Sequence, residues 1–139
     1  MKKYELTSET KIVFGHILYR IKALSSFGYV SAGDLGGFLE SEKNLSQNGN
    51  AWVSGNAEVS KIGSIFWIGA VGSRNDTATF FRCTDGVVRV TCGCFFGNLD
   101  EFAKKVRKTH GDNDHAKVYM LAIDMAKIRI STEKEKTEE

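Results

Sequence analysis

Apolar and polar positions alternate along the first part of the chain, and helical spacing begins only near residue 98. Residues 2–6 and 11–24 read as strands around a turn at Thr7–Thr10. In the second strand Ile17, Tyr19, Ile21 and Ala23 share one face, while Leu18, Arg20, Lys22 and Leu24 share the other. Gly28 and the run Ala32-Gly-Asp-Leu-Gly-Gly37 break this alternation. They mark backbone that needs positive φ or the close approach of another segment. Farther on, Ile65–Val71 is a strongly apolar strand with Trp67 inside it, Gly72–Asp76 a polar loop and Thr77–Cys83 a strand. Thr84-Asp85-Gly86 is a tight hairpin turn and Val87–Phe96 the returning strand.

Two helices complete the pattern. Asn98 caps the first, with Glu101 reaching back three residues later, and Leu99, Phe102, Ala103 and Val106 line one side. His110-Gly111-Asp-Asn-Asp114 ends it and caps the next. Residues 115–130 carry apolar side chains around most of the circumference, so this second helix needs cover from the sheet and from a second subunit. Ser131–Glu139 holds no apolar residue and is expected to be a disordered charged tail.

Between the strand-rich stretches lie three six-residue blocks in register: Leu45-Ser-Gln-Asn-Gly-Asn50, Ala51-Trp-Val-Ser-Gly-Asn56 and Ala57-Glu-Val-Ser-Lys-Ile62. A period of six is that of a parallel β-solenoid, whose short flat faces meet at corners of small and polar residues. Three blocks make about one coil, with Val53, Val59 and Ile65 pointing inward and Ala51, Ala57 and Gly63 beside the corners. One coil leaves both rims with unpaired backbone groups. The N-terminal strands, the hairpin or a second copy must cover them, which predicts a homo-oligomer. The fold class is therefore α+β, one domain over 1–130. It comprises N-terminal strands and a glycine-rich loop (1–44), hexad repeats (45–68), a hairpin (69–97) and two helices (98–130), with the tail at 131–139.

Several strings carry a resemblance. Tyr19-Arg-Ile-Lys-Ala-Leu24, Ala32-Gly-Asp-Leu-Gly-Gly-Phe38, Gly49-Asn-Ala-Trp-Val53, Gly72-Ser-Arg-Asn-Asp76, Cys92-Gly-Cys94 and Thr109-His-Gly-Asp112 resemble a family of small phage and prophage proteins. That family is similar to hexapeptide-repeat (left-handed β-helix) polypeptides with a C-terminal α+β segment. The resemblance spans residues 4 to about 130. It implies a viral origin and the fold, but no catalytic residues. This chain departs from the pattern by carrying only two good repeats, since Lys61-Ile62 replaces Gly-Asn in the third.

Composition narrows the classes of function. A formal net charge of +2 gives no electrostatic case for nucleic acid, and the densest basic cluster, Lys104-Lys105-x-Arg107-Lys108, spreads around a helix as a solvated face. The chain has no apolar run of membrane-spanning length and no apolar signal-peptide core after Met1. Three cysteines, an odd number without a secretory context, read as free thiols in a reducing cytoplasm, here that of the host.

Candidate chemistry is sparse. Cys92 and Cys94 face one side of a strand with Val88, Val90 and Phe96, which reads as core thiols. Cys-x-Cys is a poor chelate spacing, so no metal and no cofactor is assigned. His110 reads as a cap at a helix C-terminus. The best binding candidate is the loop Ser73, Arg74, Asn75 and Asp76, with Arg82 and Arg89 added from one side of the hairpin. Arginine pairs with phosphate or carboxylate, and Asn and Asp read hydroxyls and amides. The plain alternative is a turn in which Arg74 and Asp76 satisfy backbone groups or each other.

With no catalytic constellation, the expected function is non-enzymatic: a phage-encoded binding protein acting against a host defence system. It would sequester a small nucleotide-type signal or mask a defence protein complex. The alternatives are a structural or assembly module related to repeat-bearing phage proteins and, weakest, a hexapeptide-repeat acyltransferase resting on fold analogy alone.

Overall fold

The computed structural model describes residues 2–13, 15–59 and 64–130. Strand β1 (Tyr4–Val13) pairs antiparallel with β2 (His16–Ala23), and the chain reverses beside Gly15 (φ 84°). The turn expected at Thr7–Thr10 is instead a bulge inside β1. Pairing passes from Leu6↔Ile21 to Thr10↔Tyr19, four steps on β1 against two on β2. The Thr7 hydroxyl donates to the Arg20 carbonyl (2.9 Å) and accepts from the Glu9 N–H (3.2 Å), which satisfies polar groups the ladder leaves open. The strict two-face reading of β2 fails for the same reason. Leu18, Ile21 and Ala23 are buried while Ile17 is exposed, because the slips in register shift the inward phase by one residue.

Strand β3 (Leu35–Leu39) continues the sheet antiparallel to β2, so Gly36 and Gly37 lie in a strand rather than in a loop. A Cβ on Gly36 would fall 2.6 Å from the Val53 carbonyl oxygen and 2.7 Å from the Trp52 ring, and one on Gly37 2.7 Å from the Ala57 Cβ. Only glycine lets the repeat segment lie this close to β3. That segment hydrogen-bonds to β3 through Gly37 N–H to Val53 O (3.0 Å) and Phe38 N–H to Ala57 O (3.0 Å). It ends in a short parallel strand, β4 (Glu58–Val59), which gives the sheet order β1-β2-β3-β4.

Val53, Val59 and Ile65, the expected inward positions, are buried, and so are Ala51 and Ala57. The one-coil solenoid over 45–68 is not what the described residues form. Their sheet is neither closed nor curled. The repeat's parallel partner is β3, with antiparallel β2 behind it. Ser60–Gly63, the degraded end of the third block and the expected corner Gly63, lie outside the described residues, as does the tail 131–139.

A second sheet follows as an antiparallel meander: β5 (Ile65–Val71), β6 (Asp76–Arg82), β7 (Val88–Cys92) and β8 (Phe95–Asn98). The single returning strand expected over Val87–Phe96 is two strands, because Gly93 (φ 60°) and Cys94 form a tight turn. Alternation then sorts the sheet into two faces. Ala78, Phe80, Val88, Val90 and Cys92 face the helices. Ile65, Phe81 and Cys83 pack with Tyr4, Ile21, Leu39, Trp52 and Val53 of the first sheet. The result is three layers: sheet, sheet, helices.

The helices follow their local signals. In α1 (Leu99–His110) Asn98 accepts from the Glu101 N–H and Glu101 accepts from the Asn98 N–H, both at 2.8 Å. Gly111 (φ 66°) ends it, and Asn113 caps α2 (Asp114–Arg129) through the Ala116 N–H at 3.0 Å. Among the described residues no helix is long and apolar enough to cross a membrane.

Candidate functional site

The polar loop at 72–76 is shaped by a bulge in the strand before it. Pairing of β5 with β6 passes from Ile68↔Ala78 to Val71↔Asp76, three steps against two, with Ala70 at φ 56°. The extra residue keeps Val71 in the helix-facing core and brings Gly72 against α2. A Cβ on Gly72 would overlap the Tyr119 hydroxyl, so glycine is required for contact as well as for its φ of 76°. Asn75, at φ 53°, donates its N–H to Gly72 O (3.3 Å) and acts as a turn residue.

Asp76 opens β6 and sits where three segments meet. A Cβ on Gly93 would lie 3.2 Å from Asp76 Oδ2 and 3.5 Å from the Tyr29 ring, so the β7–β8 turn brings its backbone up to both side chains. Arg74 donates to the Tyr29 hydroxyl at 3.1 Å. Arg74 and Asp76 form no ion pair with each other among the described residues.

Two adjoining clefts open at this junction, sharing Tyr29, Asp76, Gly93, Cys94 and Phe95. The larger, about 500 Å³, lies between the two sheets and is walled by aromatic rings of Phe27, Trp52 and Phe96, with the Asp34 carboxylate also present. The smaller, about 240 Å³, runs toward the helices and holds Ser73, Arg74, Lys105 and His110. Arg74 and Lys105 line only the smaller cleft and Asp34 only the larger, while Asp76 and aromatic rings line both. Such a division suits a ligand with a flat polar ring at one end and an anion at the other.

The thiols separate. Cys92 is buried, and burial pushes its thiol up to about 11, so it stays protonated; its Sγ lies 3.9 Å from the Tyr119 hydroxyl. Burial likewise pushes the Tyr119 phenol up, and the Cys92 sulfur adds to the effect. Cys94 is exposed and lines both clefts. The expectation of two core thiols on one strand face is corrected for Cys94, because the turn at Gly93 places it outside the strand. Phe96 is likewise half-exposed, away from the Val88–Val90 face. His110 sits in the last turn of α1, with its ring 5.9 Å from that of Tyr119. Among the described residues no group of three His, Cys, Asp or Glu side chains is placed to hold a metal ion.

Of the residues singled out in the sequence, Ser73, Arg74 and Asp76 line the clefts, and Asn75 shapes the turn between them. Arg82 and Arg89 do not join them. Arg82 stands six residues along β6 from Asp76, about 20 Å at strand rise, and its guanidinium meets the Ser64 hydroxyl at 3.4 Å. Arg89 makes a two-bond pair with Asp85 (3.0 and 2.9 Å). The two arginines also lie on opposite faces, since Arg89 pairs with Phe81 and Arg82 with Val88. Tyr29, Trp52, Phe96 and Lys105 were not foreseen as site residues, and the one local hint was an aromatic residue directly after Gly28. Comparison of the chain with family models, curated proteins and solved structures finds no match.

Proposed function

We propose that this protein captures a small nucleotide-type ligand, with its phosphate at Arg74 and Lys105 and its base in the ring-walled cleft. The observation that supports this reading is the juxtaposition of an aromatic, carboxylate-bearing cleft with a cationic one across Tyr29 and Asp76. Aromatic rings stack on any base, carboxylates accept from amino and hydroxyl groups, and a guanidinium pairs with phosphate oxygens. The resemblance of the sequence strings to phage proteins supports placing this capture in the host cytoplasm, where it would remove a defence signal without catalysis. A binding loop held by flanking strands suits such a role.

Masking of a defence protein complex and a structural role in phage assembly are the other readings, and neither has a specific supporting contact. The acyltransferase reading rests on fold analogy alone.

The test is calorimetric titration of the purified protein with nucleoside mono- and diphosphates and cyclic dinucleotides, alongside native mass spectrometry of protein taken directly from cell extract. Saturable binding of at least one nucleotide is expected. Arg74→Ala should abolish it while leaving the melting temperature almost unchanged, since Arg74 is exposed and makes one surface hydrogen bond. No saturable binding across the panel, or a large loss of stability in Arg74→Ala, would overturn the reading.

A further inference from the structure

Helix α2 is apolar on two nearly opposite faces, and the described residues cover only one. Ala116, Tyr119, Ala122, Ile123 and Ala126 pack on the second sheet and α1. On the outer side Val118, Leu121, Met125 and Ile128 stand 41, 62, 42 and 87% exposed. Their spacing of three, four and three residues is that of the a and d positions of a heptad, the seam by which one helix packs along another.

Charge at the seam's edges identifies the occupant. In this frame Asp124 takes position g and Arg129 position e of the next heptad. Neither forms an ion pair among the described residues. Parallel pairing of two such helices brings each g residue against the partner's following e residue. Two copies of α2 laid parallel therefore set Asp124 of each against Arg129 of the other, twice by symmetry. In antiparallel pairing centred on the same seam, Asp124 faces its own copy. Val118 at a and Leu121 at d are also the combination that favours two strands.

We propose that α2 is the seat of a parallel two-fold homodimer, in which Val118, Leu121, Met125 and Ile128 form the core and Asp124–Arg129 pairs flank it. The proposal is independent of ligand capture, because the seam shares no residue with either cleft. The patch is short relative to a standard interface of about 800 Å² per partner, so association should depend visibly on concentration.

Sedimentation equilibrium of the full chain over a wide concentration range tests it, with circular dichroism melts to confirm that each variant is folded. The wild type should pass from monomer to dimer. Ile128→Glu, at the most exposed seam position, should raise the dissociation constant at least tenfold without loss of fold. Asp124→Arg alone should weaken the dimer, and the double change Asp124→Arg with Arg129→Asp should restore it. A monomer at every concentration overturns the proposal and leaves the stripe to a different protein. A dimer indifferent to Ile128→Glu, or a double variant that fails to recover, overturns it as well.

Discussion

On one side of the central sheet, contacts join segments more than forty residues apart. The Lys3 ammonium donates to Ala51 O at 2.8 Å, the Tyr4 hydroxyl to Leu45 O at 2.6 Å, and Gln47 Oε1 accepts the N–H groups of Lys3 (2.7 Å) and Tyr4 (3.1 Å). On the other side, Asn98 with Glu101 and Asn113 with Ala116 close their helices on neighbours three residues away. The repeat layer, which has little regular pairing of its own, is pinned by distant polar groups. The helical layer is specified by local caps and then packed. Damage to the first should therefore spread, and damage to the second should stay local.

The largest expected effect is at Val53, fully buried between the sheets. Val53→Asp puts an unpaired charge in an apolar core and should cost about 4 kcal/mol or more, enough to unfold a small domain. A variant that stays soluble and melts cooperatively near the wild-type temperature would show that the repeat layer is not part of the cooperative unit.

Two glycine substitutions sharpen the contrast. Gly36→Ala meets backbone at Val53 and should cost about 3 kcal/mol, because strands held at both ends cannot separate freely. Gly111→Ala meets nothing within 4 Å, but its φ 66°, ψ −116° lies outside the left-handed region that other residues tolerate, so about 2 kcal/mol is expected. Chemical denaturation of both variants checks the order. Equal losses would remove the distinction between a glycine needed for space and one needed for conformation.

The smallest effect is in the pH dependence. Burial pulls the Lys3 ammonium down to about 8 from its usual 10.5. Between those values the unfolded chain holds more of this amine's proton than the folded one, so stability should rise with pH from about 8 to about 9. A neutral amine still has two hydrogens for its acceptors, Ala51 O and Gly49 O. The buried Cys83 and Cys92 thiols, both pushed up by burial, oppose this rise from about 9, and the buried Tyr4 and Tyr119 phenols oppose it once free tyrosine ionises near 10. At the hairpin end the Arg89 guanidinium holds the Asp85 carboxylate down to about 2, so that contribution is complete above about 3.8 and is lost only as pH falls through about 2. Urea melts of the wild type and Lys3→Met across the alkaline range decide the matter. A rise that persists in Lys3→Met would assign it to another group.

These differences explain which elements could be read from the pattern of residues. β5 coincides with the apolar run Ile65–Val71, and the capping box at Asn98 forms as read, because both depend on neighbours in sequence. The turn expected at Thr7–Thr10 became a bulge. Ser and Thr favour both, and only pairing with β2 decides between them. Val87–Phe96 was read as one strand because Gly93 interrupts an otherwise good alternation with a single residue. At the site, the loop Ser73–Asp76 was visible as a polar interruption between apolar strands. Its partners Tyr29, Trp52 and Lys105 were not, since they come from three other segments without local marks.

Taken alone, the order of residues determined the α+β class, the extents of β5 and α1, the helix caps, and the inward direction of Val53 and Val59. Each of these rests on a period or a hydrogen bond spanning a few residues. The tertiary structure decided that the end of the repeat pairs with β3, that Arg82 and Arg89 part company, and that the rings of one layer meet the cations of another around Asp76. Those outcomes depend on which strand edge is free to pair and on how tightly glycines let two backbones approach, conditions that arise only once distant segments are brought together.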